Sequence, residues 1–192
     1  MTSQDPIAHY FWDACVFVRF LTGTPTDYVS DITQMIDDAK AGKARIYCST
    51  MVFAEIRPSH LKAHNLGDIS DLLQDLGGTV MPIGPTPAIL ERAGALKDIS
   101  FANPNGGNSR VVGTADAIHL LTCVHLEDDL GISPVKFHTT DNGKGGNWEG
   151  KCVPLLTFEK WAGPHMGNPT VSRVCKLDRC LPQHSSPRLP KI

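Results

Sequence analysis

AHYFWDACVFVRFL, residues 8–21, joins two periodicities at a single acid. Ala8 to Trp12 is a short aromatic-rich run that reads as a buried first strand, ending at Asp13. Beyond Asp13 the apolar residues Val16, Phe17 and Phe20 recur at helical spacing as far as Leu21, and Gly23 with Pro25 punctuates the segment. A parallel α/β sheet requires strand and helix to go on alternating through the rest of the chain.

They do. Asp27 to Gly42 is an amphipathic helix with Ile32, Met35, Ile36 and Ala39 on one stripe, and Arg45 to Cys48 is a second strand. Ser49 or Thr50 then caps a short helix from Met51 to Arg57, which Pro58 limits. Asp68 to Leu76 is a helix closed by Gly77-Gly78, Thr79 to Met81 a third strand, and Ala88 to Ser100 another helix. The glycine-rich loop 103–109 leads into a helix from Thr114 to Leu126, and Val135 to Thr140 is a fourth strand ending in the turn Asp141-Asn142-Gly143. Lys151 to Leu155 reads as a fifth strand at a sheet edge, because Pro154 cannot donate to a ladder. The fold class is therefore α/β, a three-layer α/β/α arrangement around a central, mostly parallel, five-stranded twisted sheet. Periodicity fails after residue 164 and the last 28 residues hold four prolines. The expected organisation is one domain over 1–164 and a basic, Pro-containing, extended tail over 165–192.

A chain of 192 residues, 41% hydrophobic and 20% charged, can build one sizeable core. No apolar run reaches membrane-spanning length and Met1 to Pro6 lacks a basic leader, so the cytoplasm is the expected compartment, with no membrane partner. The net charge of −2 is uneven: the tail carries Arg173, Lys176, Arg179, Arg188 and Lys191 against Asp178 alone. An acidic body of this kind does not bind nucleic acid through its overall charge, so any such contact has to be local. The six cysteines, at 15, 48, 123, 152, 175 and 180, do not form a disulfide framework; Cys15, Cys48 and Cys123 sit in apolar stretches as small hydrophobes. Cys175, Cys180 and His184 lack a paired CxxC and would have to borrow a fourth zinc ligand from Cys152 or His165.

Four acids fall where such a sheet builds its sites, outside the carboxyl ends of its strands. Asp13 and Asp141 each follow a strand, Asp116 opens the helix at Thr114, and Glu55 lies in the apolar segment Met51 to Ile56. Each has an ordinary use. Asp13 can cap the helix that starts at Ala14, Asp141 can initiate its Asp-Asn-Gly turn, Glu55 can occupy an exposed helix face, and Asp116 can complement a helix dipole beside a Thr114 N-cap. Their common location on one sheet edge is what those separate uses do not explain.

The order of Asp13 after a strand, Glu55 in a helix, Thr114-Ala115-Asp116-Ala117 at a helix start and Thr139-Thr140-Asp141 after a late strand resembles the PIN domain, a metal-dependent nuclease fold found in many toxin-antitoxin ribonucleases. The resemblance covers about residues 8 to 158, with 42, 61 and 25 residues between successive acids. Its most specific parts are Ala-Asp-Ala and Thr-x-Asp. It departs from the family at Ala14-Cys15, where members often carry a small hydroxyl or amide residue, in the glycine-rich stretch 143–150, and in the tail.

The resemblance implies an endoribonuclease that hydrolyses RNA to leave a 5′-phosphate, as the toxin of a toxin-antitoxin pair or a related RNA-processing enzyme. An antitoxin protein or a second copy of the chain would be its partner. Phosphodiester hydrolysis needs charge neutralised and a water made nucleophilic, which Mg²⁺ or Mn²⁺ supplies, and oxygen ligands suit both ions. Asp13 and Asp116 are the expected direct ligands, Glu55 and Asp141 bind directly or through water, and Thr139 orients Asp141. Arg57, Lys62, Arg110 and Lys144 are candidates for gripping the RNA by chain position, although for any one of them a solvated surface charge is the more ordinary use. His60 and His64 have no HExxH glutamate between them, and no GxSxG, P-loop or GxGxxG is present. Two rival readings keep the fold but change the activity: a non-catalytic PIN-like module that binds RNA or protein, and a metal-dependent phosphohydrolase of a small ester.

Overall fold

The computed structural model describes residues 7–143 and 152–184. Five strands, β1 (Ala8–Trp12), β2 (Ala44–Ser49), β3 (Val80–Ile83), β4 (Lys136–His138) and β5 (Asp178–Cys180), form one sheet in the order β3-β2-β1-β4-β5, and every pairing is parallel. The central strand is the aromatic one. In register, Phe11 lies beside Tyr47 on one side and Phe137 on the other, and the Phe11 and Phe137 rings stack at 5.2 Å. Period-two alternation sends that row to one face and Tyr10 and Trp12 to the opposite face, so β1 is apolar throughout because both faces are covered.

Helices α1 (Ala14–Thr22) and α2 (Val29–Lys40) cover the Trp12 face with Phe17, Leu21, Ile32, Met35 and Ile36. The short helices α3 (Val52–Glu55), α4 (Pro58–Ala63) and α5 (Ile69–Asp75) extend that layer through Val52, Leu61 and Leu72. Helices α6 (Pro87–Lys97), α7 (Thr114–Asp128), α8 (Phe158–Ala162) and α9 (Pro169–Cys175) cover the Phe11 face. Helix α7 is buried on nearly every side from Ala117 to Val124, which is why its apolar run has no polar stripe. The three-layer α/β/α architecture expected from the sequence is the one present.

Two expectations at the C-terminal end are corrected. The segment taken for a fifth strand makes only a single parallel bridge, Cys152 to Val111; Pro154 then turns the chain into a 3-10 turn at Leu155–Thr157, and Val153 and Leu155 are buried without joining the sheet. The fifth strand comes instead from the presumed tail. Residues 165–184 supply α9 and β5, with Val171 and Val174 fully buried. A buried arginine, Arg179, ties this segment down: its Nε donates to the Leu155 carbonyl, it pairs with Glu159, and it lies against the Phe158 ring. The end of the chain beyond 184 lies outside the described residues.

Candidate active site

The strand order reverses at β1 and β4: the connections run from β1 outward to β3 on one side, and then the chain returns to the other side of β1. In open α/β sheets the crevice outside the carboxyl ends of the strands at this point is the usual ligand site. Asp13 leaves the end of β1 there, with its N–H donating to the His138 carbonyl at the end of β4 at 3.1 Å. Asp141 leaves β4 three residues past His138.

Asp13 is buried and heavily engaged. Oδ1 accepts the Ala14 N–H at 2.7 Å, so Asp13 is the N-cap of α1, and Oδ2 accepts the Thr139 hydroxyl at 2.7 Å and the Cys15 thiol at 3.1 Å. The thiol is a competent donor because burial, and then the Asp13 charge, push its pKa up and keep it protonated. Cys15 in turn accepts the Thr140 N–H at 3.1 Å. The position where a hydroxyl or amide neighbour was missing thus carries a thiol that makes the supporting hydrogen bond.

Thr139 corrects a third expectation. Its hydroxyl orients Asp13, and its oxygen receives only the backbone N–H of Asp141 at 3.1 Å. The Asp141 carboxylate is held by backbone donors, Gly143 N to Oδ1 and Leu155 N to Oδ2, both at 3.0 Å. Asp141 therefore does initiate its turn, while its pKa is raised by burial and by Asp13 against the lowering effect of those two N–H groups and of Arg110. Gly143 has φ +74, and a side chain there would run into the Pro154 ring, so the turn requires glycine.

Asp116 sits in the first turn of α7, but Thr114 is not the cap; that position is Gly113, at φ −61, with no side-chain cap bond. A Cβ on Gly113 would stand 2.5 Å from Asp116 Oδ2, so the carboxylate curls back over a residue without a side chain and would have to move if one were added. Burial first, then Asp13, Asp141 and Glu55, push the Asp116 pKa up to about 7, with His119 acting in the opposite direction. All four acids thus share one electrostatic neighbourhood.

His119 is the functional residue that the sequence reading passed over. It is fully buried, its Nε2–H donates to Glu55 Oε2 at 2.7 Å, and Asp13 Oδ1 lies 3.7 Å away. Burial alone would lower its pKa, but the Glu55 hydrogen bond with the Asp13, Glu55 and Asp116 charges carries it above 6.5. The available signal was its i, i+3 relation to Asp116 within an otherwise apolar helix.

Of the basic candidates, Arg110 is drawn to the site. Its Nη1 donates to the Cys152 carbonyl at 3.3 Å, its guanidinium packs 4.7 Å from the centre of the Trp161 ring, and it lowers the Asp141 pKa. Arg57, the N-cap of α4, and Lys62 within α4 are both exposed, and no described contact brings either to an acid. Lys144 lies outside the described residues.

Comparison with family models, curated proteins and solved structures finds no match. The site must therefore be read on its chemistry. Three aspartates and a glutamate are hard oxygen donors suited to Mg²⁺ or Mn²⁺. Among the described residues, however, no three His, Cys, Asp or Glu side chains are spaced to hold a metal ion together, zinc at the C-terminal cysteines included. Three acids instead keep their own partners: Asp13 with Ala14, Thr139 and Cys15, Glu55 with His119, and Asp141 with Gly143 and Leu155. Nor is any described helix long and apolar enough to cross a membrane.

Proposed function

We propose that this chain is a Mg²⁺- or Mn²⁺-dependent endoribonuclease of the PIN-domain type. The observation that carries the reading is the convergence of the acids at the switch point of the sheet, where burial first, and then the Asp13, Asp141 and Glu55 charges, push the Asp116 carboxyl up to about 7. A protein gains nothing in stability from crowding like charges, and a hard cation is the simplest group that makes such crowding favourable.

Asp13 and Asp116 would hold the cation, with Glu55 and Asp141 beside them. The cation would supply charge neutralisation at the phosphate and a more acidic water. Asp116 would give up its proton to hold that ion, which would couple cation uptake to proton release. Thr139 and Cys15 fix Asp13 Oδ2 from the protein side, and His119 fixes Glu55 by donating from Nε2. Arg110 offsets the negative charge on the Asp141 side. The toxin role, an antitoxin or homodimeric partner and a cytoplasmic location belong to the same proposal and rest on the resemblance.

The test is cleavage of single-stranded RNA by the purified full chain with Mn²⁺ or Mg²⁺, beside Asp116→Asn, together with calorimetric titration of the ion. The wild type is expected to cut and to take up the ion, and the variant to do neither. A wild type that neither cuts RNA nor takes up either ion overturns the proposal; ion uptake with turnover of a small phosphate ester and no RNA cleavage would move the reading to a phosphohydrolase.

A further inference from the structure

An open cleft of about 360 Å³ lies between α1 and Glu55, lined among others by Cys15, Val18, Arg19, Pro25, Glu55 and Thr140. Small-ligand sites run from about 300 to 1,000 Å³, so it has room for a group of nucleotide size. It is continuous with the acid cluster in chemical terms, since Cys15 binds Asp13 and Glu55 binds His119. Its walls combine apolar surface from Val18 and Pro25 with one cation, Arg19.

Arg19 is held in a particular way. Its Nη1 donates to the Asp27 carbonyl at 2.9 Å and its guanidinium lies 5.7 Å from the centre of the Tyr28 ring, which together fix the head group. Its Nε is buried and has no hydrogen-bond partner. Arg19 lines the cleft, and a guanidinium fixed in the wall of a cleft is suited to an anionic oxygen. Arg57 and Lys62, the cations singled out by chain position, do not line this cleft.

We propose that the cleft seats one nucleotide flanking the cut, with Arg19 holding that nucleotide's phosphate. The assignment of the ligand as RNA rests on the ribonuclease reading. Arg19 offsets the repulsion that the acid cluster exerts on an incoming polyanion, and Val18 and Pro25 give the sugar and base an apolar wall. Recognition through a phosphate and apolar packing is tolerant of base identity.

The experiment measures binding of a labelled single-stranded oligoribonucleotide to the full chain in EDTA, by fluorescence anisotropy, in an Asp116→Asn background so that the probe survives. Arg19→Gln is expected to weaken binding about tenfold and to flatten the dependence of log affinity on log salt by about 0.7, the contribution of one phosphate contact on a single strand. Arg19→Lys should retain the salt dependence while losing part of the affinity. Val18→Trp, which fills the cleft without touching the charge, should weaken binding comparably at an unchanged melting temperature. An unchanged affinity and salt dependence in Arg19→Gln with normal binding by Val18→Trp overturns the subsite, as does failure of the parent protein to bind the oligonucleotide. If Arg19 and Val18 govern binding but the wild type cuts no RNA with Mn²⁺ or Mg²⁺, the subsite stands and the nuclease reading falls.

Discussion

Replacing Asp116 by Asn should stabilise the metal-free protein at high pH and hardly at all at low pH. The native Asp116 carboxyl has its pKa raised from 3.8 to about 7. Between those values the folded protein binds more protons than the unfolded chain, so stability falls as pH rises through that window and levels off above it. At about 1.36 kcal/mol for each tenfold change in proton affinity, the ionised carboxylate costs the fold at most about 4 kcal/mol at pH 8. Asn mimics the protonated acid in shape and charge, so the variant recovers a large part of that cost at pH 8 and little of it at pH 5. For a domain of this size, about 2–4 °C per kcal/mol sets a ceiling of about 8–16 °C on the gain in melting temperature. His119, whose pKa is also raised, contributes stability that is lost as pH rises through its folded value; part of that rise comes from the Asp116 charge, so the variant loses part of the His119 contribution along with the strain. Urea and thermal unfolding in EDTA at pH 5 and pH 8 read the effect. An equal gain at both pH values, or a loss at pH 8, would refute the claim that burial and like-charge crowding strain the ionised Asp116. Adding Mn²⁺ should then raise the melting temperature of the wild type and leave the variant unmoved.

Three further outcomes follow from the same geometry. Gly113→Ala suits the local backbone at φ −61, yet its Cβ would stand 2.5 Å from Asp116 Oδ2; RNA cleavage and Mn²⁺ affinity should each fall at least tenfold while thermal unfolding shows a change of about 1 kcal/mol or less. Thr139→Val strips Asp13 Oδ2 of one donor and the Asp141 N–H of its acceptor, and chemical denaturation should register a loss of about 1–3 kcal/mol, which a Thr139→Ser variant restores in part. Truncation after residue 164 removes β5 and exposes the surface against which Val171, Val174 and Leu177 pack, and circular dichroism should show a protein that no longer unfolds cooperatively.

The layers of the fold could be read from the sequence because strands buried on both faces advertise themselves. Ala8 to Trp12 and Arg45 to Cys48 are short apolar runs between helices of clear periodicity, and only parallel pairing buries both of their faces. The fifth strand could not be read in the same way. Asp178-Arg179-Cys180 has neither an apolar run nor alternation, and its three residues take a strand conformation because Arg179 is anchored to Leu155, Val174 and Glu159 and because Thr139 N bonds the Cys180 carbonyl. Tertiary contacts, which leave no local periodicity, decide that element. Asp13 and Asp141 were legible by their position after strands and Asp116 by its place at a helix start, whereas Thr139's partner was not: Thr139 is two residues from Asp141 and 126 from Asp13, and proximity along the chain pointed to the wrong carboxylate. His119 was hidden because a histidine within an apolar helix looks like core until Glu55 is seen opposite it.

The capping and ligand uses of these acids do not exclude one another, because an ionised carboxylate has about four lone-pair positions. Asp13 gives one position on Oδ1 to Ala14 and two on Oδ2 to Thr139 and Cys15, leaving Oδ1 able to accept once more on the side where His119 stands 3.7 Å away. Asp141 gives one position on each oxygen to a backbone N–H, and Glu55 gives Oε2 to His119. These bonds fix three of the acids against charge repulsion by local donors, so the folded chain can hold them near each other without a cation. Asp116 is arranged differently: Gly113 clears space for its carboxylate, and among the described residues no hydrogen-bond donor reaches it. The cost of burial and the repulsion of the cluster, eased only by His119, therefore fall on Asp116, which retains its proton to near neutral pH. A group arranged in this way responds to an arriving cation more strongly than the three that are already satisfied, and it makes Asp116, rather than the more heavily bonded Asp13, the residue whose substitution should separate ion binding from folding.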